Sequence, residues 1–187
     1  METMNQKKYK ILYADPPWRY TDKCHSGKRG ADYKYKTMSI EDIANLPIKE
    51  ITDDDCILFL WVTMPFIFEA KKIIEAWGFQ YKTIGFGWVK KNKISDSLFF
   101  GMGNYTRSNL EICLLAVKGK PKRVSKSVHS VIVSRIEHHS KKPDEARDRI
   151  VKLCGDLPRI ELFARTKTPG WDAWGLEIQS DIQLERK

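Results

Sequence analysis

Lys10-Ile11-Leu12-Tyr13-Ala14-Asp15-Pro16-Pro17-Trp18 sets the reading of the whole chain. Residues 10–14 have the length and apolar content of a short buried strand, and Asp15-Pro16-Pro17-Trp18 stops it with two prolines whose φ angles are fixed. Outward from this point, strand-like and helix-like segments alternate. Ser39 caps a helix running through Leu46, with Asp42 three residues on as a short capping-box partner. Residues 56–62 are an unbroken apolar run, the pattern of a buried strand. After Pro65, the residues Phe66, Ala70, Ile73, Ile74 and Trp77 recur at helical spacing, and Gly78 closes that helix. Residues 79–90 and 111–118 read as strands on either side of a polar, glycine-bearing loop, 91–109, long enough to be functional. Pro143, Asp144 and Glu145 open a helix whose buried stripe is Ala146, Ile150, Leu153 and Cys154, and Gly155 ends it. Residues 159–164 form the last core strand. The alternation predicts an α/β fold, a wound sheet in which every strand delivers a loop to one edge, where ligands of open α/β sheets bind. No repeat or Pro/Ser-rich linker divides the 187 residues, so 1–187 is expected to be a single domain.

Composition narrows the function. The formal net charge is +9, which favours a polyanionic partner such as nucleic acid through phosphate neutralisation and counterion release. Three basic clusters stand out: Lys23, Lys28 and Arg29; Lys90, Lys91, Lys93 and Arg107; and Lys120, Lys122, Arg123 and Lys126. The four cysteines, Cys24, Cys56, Cys113 and Cys154, have no close pairing, and Cys24-His25 and His138-His139 lack a second pair at ligand spacing, so neither a disulfide framework nor a metal is expected. No apolar run approaches the ~18–20 residues that cross a bilayer, and the polar, basic residues 1–10 are no secretory signal. The expected location is the cytoplasm, without a membrane partner.

Asp15-Pro16-Pro17-Trp18 has a chemical reading as well as a structural one. The exocyclic amino group of adenine is a poor nucleophile because its lone pair is delocalised into the ring. Hydrogen bonds from its two N–H groups to fixed acceptors favour a more tetrahedral nitrogen. The Asp15 carboxylate and the Pro16 carbonyl supply two acceptors on a backbone whose prolines have no N–H to compete for them, and Trp18 offers a flat face for an extruded base. As four residues alone, the motif is equally a rigid turn.

Six further blocks accompany it in order: Tyr35-Lys36-Thr37-Met38-Ser39, Leu58-Phe59-Leu60-Trp61-Val62-Thr63, Trp88-Val89-Lys90, Glu111 with Val117-Lys118-Gly119, Lys142-Pro143-Asp144-Glu145, and Glu161-Leu162-Phe163-Ala164-Arg165. Together with the motif, they resemble the adenine methyltransferase family typified by the eukaryotic mRNA N6-adenosine methyltransferase catalytic subunit, over residues 11–177. The compact length and the ending Gly170-Trp171-Asp172-Ala173-Trp174-Gly175-Leu176-Glu177 look most like its bacterial and bacteriophage branch, associated with adenine methylation in DNA.

The resemblance implies a Rossmann-like, S-adenosylmethionine-dependent methyltransferase fold in permuted order, acceptor motif before cofactor motif. It places the methyl acceptor at Asp15, Pro16, Pro17 and Trp18, with Tyr35 and Trp61 near the base. The cofactor side falls at Asp15, Lys142, Glu161, Phe163, Arg165 and Thr166, with Leu176 and Glu177 closing over the nucleoside. Glu161 would accept from ribose hydroxyls, and Lys142 and Arg165 would donate to the carboxylate or ribose. Phosphate contacts are expected from Lys28, Arg29, Lys91 and Arg107. Leu176 stands where the family commonly has Asn, which puts one cofactor hydrogen bond in question. The implied activity is site-specific, adenine-specific DNA methylation. An RNA substrate, or a catalytically silent nucleic-acid-binding subunit, stand as the alternatives. A homodimer is expected because one small domain offers limited surface for gripping a duplex.

Overall fold

A computed structural model describes residues 7–19, 37–103, 105–138 and 141–184. In chain order they form β1 (Tyr9–Ala14), α1 (Ile40–Ala44), α2 (Ile48–Ile51), β2 (Thr52–Val62), a single 3-10 turn (Met64–Phe66), α3 (Ala70–Ala76), β3 (Gln80–Lys91), β4 (Leu110–Lys118), β5 (Val131–Arg135), α4 (Glu145–Cys154), β6 (Arg159–Leu162) and β7 (Asp172–Trp174). The strands make one sheet in the order β5-β3-β4-β2-β1-β6-β7. β1 lies between β2 and β6 and is parallel to both, β7 is parallel to β6, and β5 is parallel to β3.

β4 runs antiparallel to both of its neighbours, β2 and β3. The expectation that every strand delivers its following loop to one edge is therefore corrected at β4. The cause is the direct pairing of β3 with β4: consecutive strands joined at one edge and adjacent in the sheet must run in opposite directions. The amino end of β4 consequently shares an edge with the carboxyl ends of the other strands.

Burial follows from period-two alternation. Leu12, Ala14, Leu58, Leu60, Val62, Leu114, Ala116, Ile160 and Leu162 face one side, where α1, α2 and α3 supply Ile43, Ile48, Ile51, Ala70, Ile73, Ile74 and Trp77. Ile11, Tyr13, Ile57, Phe59, Trp61, Phe86, Trp88, Cys113 and Ile132 face the other, against Ala146, Ile150 and Cys154 of α4. A strand buried on both faces has no polar side to show, which is why residues 56–62 are continuously apolar.

Helix ends match their local chemistry. The Ser39 hydroxyl accepts from the Asp42 N–H at 3.0 Å, although α1 stops at Ala44, before Leu46. Gly78 and Gly155 follow α3 and α4 with φ of 84° and 87°, values that favour glycine. Leu153 is partly buried and packs against the same core as Ala146, Ile150 and Cys154. β5, β7 and α2 were not anticipated, because three to five residues are too few to carry a period. Among the described residues, no helix is long and apolar enough to cross a membrane.

Candidate active site

Tyr13 on β1 pairs with Glu161 on β6, and Ala14 pairs with Leu162, so Asp15 and Phe163 leave the sheet side by side. Phe163 adopts φ 61°, a left-handed conformation that costs energy for a non-glycine residue and turns the chain sharply at the strand end. Its ring meets Trp174 edge-on at 5.3 Å. The Pro16 carbonyl accepts from the Trp18 N–H at 2.9 Å, and the Pro17 carbonyl accepts from the Met38 N–H at 2.9 Å. The prolines themselves donate nothing, but the expectation of no competing N–H is corrected: Trp18 reaches back and occupies one lone pair of the Pro16 carbonyl. A second lone pair remains for a ligand. Trp18 is buried and stacks on Phe66 with centroids 5.7 Å apart and planes within 13°.

Three charged side chains gather beside Asp15. Lys142, in the loop before α4, donates to Asp15 Oδ2 at 2.8 Å and pairs with Glu111 Oε2 at 3.3 Å. Lys90, near the end of β3, donates to Glu111 Oε1 at 2.9 Å. The second oxygen of Asp15 accepts no hydrogen bond among the described residues. Burial pushes the Asp15 carboxyl above its ordinary range, with Lys142 opposing the shift. Burial alone would depress the Lys142 ammonium, but the Asp15 and Glu111 carboxylates outweigh it and hold its pKa high. Burial likewise works against the Glu111 carboxylate, yet Lys142 and Lys90 bring its pKa below the usual value. Asp15 is thus the carboxyl that its surroundings push toward protonation, while Glu111 is pushed the other way.

Trp61 is 1% exposed. It presents its ring to the Lys142 ammonium at 5.6 Å and donates its Nε1 hydrogen to the Tyr13 hydroxyl at 2.7 Å. A side chain so enclosed supports Lys142 from beneath and has no face open to a base. Arg147 lies over the Tyr13 ring at 5.4 Å and forms a two-pronged ion pair with Glu161, at 2.7 and 2.9 Å. A planar guanidinium fixes a carboxylate in orientation as well as charge, so both Glu161 oxygens already hold one donor each.

Between these groups opens a cavity of about 430 Å³, lined by Tyr13, Asp15 and Glu161 at the sheet edge, by Arg147 of α4, and by His138, Lys141, Lys142, Phe163, Arg165, Thr166 and Glu177 from the loops. Its donor set suits a zwitterionic ligand bearing hydroxyls: Lys142 and Arg165 for a carboxylate, and Asp15, Glu161 and Glu177 for an ammonium or for hydroxyl hydrogens. The size is ordinary for a small-molecule site. Leu176 is two-thirds exposed and does not line the cavity.

Asp15, Lys142, Glu161, Phe163, Arg165, Thr166 and Glu177 are thus brought together from the sequence-derived set. Lys91 is the last residue of β3 and pairs with Asp96 at 3.6 Å, and Arg107, on the loop between β3 and β4, stacks on Phe100 at 4.3 Å. Tyr35, Lys28, Arg29, Lys23 and Cys24 fall outside the described residues. Tyr13, Glu111 and Arg147 carried no expected role, and Lys90, read with the basic cluster for phosphate contacts, is paired with Glu111. Glu111, heading an apolar strand, carried the clearest missed signal, since a carboxylate in such a position needs a partner. Among the described residues, no three side chains are grouped to hold a metal ion.

A model of the family described as MT-A70 matches residues 9–177. The chain is 37% identical over 191 residues to type II methyltransferase M.MunI from Mycoplasma sp, covering 92% of this chain and 79% of that protein. It is 30% identical over 175 residues to the human N(6)-adenosine-methyltransferase catalytic subunit METTL3, covering 91% of this chain and 28% of that one. An N(6)-adenosine-methyltransferase MT-A70-like protein of Arabidopsis thaliana is 28% identical over 172 residues, with 90% and 23% covered.

Proposed function

The chain belongs to the MT-A70 family, and from that membership we propose that it transfers a methyl group from S-adenosylmethionine to the exocyclic amino group of adenine in DNA. The observation that carries the reading is the Asp15 carboxylate, held by Lys142 beside the Pro16 carbonyl at the mouth of a cavity with the donor set described above. S-adenosylmethionine supplies an electrophilic methyl group when bound. Lys142 and Arg165 are suited to its carboxylate and Glu161 and Glu177 to its hydroxyls. The fold is read as Rossmann-like with permuted order, because the acceptor motif follows β1 and Glu161 lies on the later, adjacent β6.

Asp15 and the Pro16 carbonyl each accept one hydrogen from the adenine amino group. This draws the nitrogen lone pair out of the ring and aims it into the cavity. No prior deprotonation is required. Once the new C–N bond has formed, the nitrogen carries a surplus proton, which departs along the hydrogen bond that Asp15 accepts. Lys142 favours the ionised form of Asp15, which is the form that accepts.

DNA is favoured because the chain is 37% identical to type II methyltransferase M.MunI and 30% identical to METTL3. RNA remains a second reading, favoured by the relatives named as adenosine methyltransferases. Transfer of a labelled methyl group to duplex DNA, single-stranded DNA and RNA separates the two, and turnover on RNA alone would reverse the order. Asp15→Ala is expected to abolish transfer while leaving the fold and most nucleic-acid affinity in place. Unaltered turnover in that variant removes Asp15 from its role.

A further inference from the structure

The loop between β3 and β4 is more organised than its composition suggests. The Lys90 N–H donates to the Asn109 carbonyl at 2.8 Å and the Phe99 N–H to the Lys90 carbonyl at 2.8 Å, while the Asn92 N–H closes an inner turn on Ser97 at 2.9 Å. Gly101 packs against the backbone of Ser108 so closely that any Cβ would collide with it. These contacts tie the backbone of the loop at its base. Three large apolar side chains of its second half face solvent: Phe100 is 64% exposed, Met102 is 87% exposed, and Tyr105 is fully exposed.

Exposure of three large apolar groups on one loop costs solubility unless they meet a partner. Three observations say what kind. The loop joins Lys90 at one end and Glu111 at the other to the charge cluster around Asp15, so it stands at the rim of the active site. Cations flank its apolar groups, with Lys91 and Lys93 before them in the chain and Arg107 after them, stacked on Phe100 at 4.3 Å. The whole chain is cationic. Aromatic faces flanked by positive charge suit nucleobases attached to phosphates.

We propose that Phe100, Met102 and Tyr105 are a stacking surface for the bases that flank the target adenine, replacing the stacking those bases give up when the adenine is drawn out to Asp15. The inference rests on the reading of the protein as a nucleic-acid methyltransferase. Extrusion leaves the neighbouring bases with an uncovered face, and side chains that fill the gap lower the cost of holding it open. Lys91, Lys93 and Arg107 then address the backbone on either side.

The test compares the wild type with the triple variant F100A/M102A/Y105A, using random-sequence DNA oligonucleotides, single-stranded and duplex. Removing the stack on each base is expected to weaken binding at least about fivefold, with KM for DNA rising in parallel. The slope of affinity against salt should stay as in the wild type, since every phosphate-facing cation is kept, and affinity for S-adenosylmethionine should be unchanged. Wild-type affinity and KM for DNA in the triple variant overturn the stacking surface while leaving the methyltransferase reading intact. A change confined to self-association, with DNA affinity retained per protomer, assigns the loop to a protein interface and overturns it equally. Failure of the wild type to methylate any nucleic acid overturns both readings.

Discussion

At the scale of single residues, Lys142 shows how a buried charge sets the chemistry of its neighbour. Burial raises the pKa of Asp15, and the Lys142 ammonium opposes that rise. Lys142→Met keeps most of the side chain over Trp61 and removes the charge. Asp15 then loses its stabilising partner, its pKa rises further, and the acid limb of kcat/KM against pH should move to higher pH, with turnover reduced at neutrality. A pH–rate profile that falls in amplitude without moving would mean that Lys142 acts only on the cofactor. The residues flanking Asp15 were legible from the motif alone. Arg147 was not, because a helical arginine at an exposed-looking position gives no hint that it will turn inward and clamp Glu161. Trp61 misled in the other direction: an aromatic at a strand end fits a base contact and a core contact equally well, and burial decides for the core.

At the scale of elements, the two strand ends that build the site differ in how far the sequence reveals them. β1 and its terminating prolines are local features, whereas β7 has three residues and is held by pairing with β6. The segment after β7 is nevertheless tightly docked. The Ala164 N–H donates to the Trp174 carbonyl at 2.9 Å, the Gly175 N–H donates to the Ser180 hydroxyl at 3.1 Å, and a Cβ on Gly175 would collide with the Ala164 carbonyl oxygen. Only glycine permits this approach. Gly175→Ala should push the β7 end away from the turn after β6, separating Glu177 from Arg165 and Thr166 across the cavity. A drop of about 1–3 kcal/mol in unfolding free energy is expected from the overpacking, together with a rise of about tenfold or more in the Kd for S-adenosylmethionine. Chemical denaturation and calorimetric titration measure the two effects. Retained cofactor affinity would show that Glu177 contributes nothing to that site.

At the scale of the whole molecule, the direction of β4 sorts the basic clusters, and no local pattern in the sequence could have revealed it. Period and composition identify β4 as a strand, but its reversal arises from pairing with β3 across an 18-residue connection. Because β4 is antiparallel to its neighbours, Lys120, Lys122, Arg123 and Lys126 follow its carboxyl end at the edge of the sheet opposite Asp15, while Lys91, Lys93 and Arg107 stand at the same edge as Asp15. A nine-residue strand spans about 30 Å, several times the Debye length of about 8 Å at physiological salt. A strand of DNA engaged at Asp15 therefore gains little from the far cluster, though all of these residues count equally in the net charge of +9. Neutralising Lys91, Lys93 and Arg107 should reduce the slope of log affinity against log salt by about 0.9 for each duplex phosphate that is no longer neutralised and raise KM for DNA. Neutralising Lys120, Lys122, Arg123 and Lys126 should leave KM nearly unchanged. Titrations at several salt concentrations distinguish the two sets, and an equal effect from both would mean that the nucleic acid wraps from one edge of the sheet to the other.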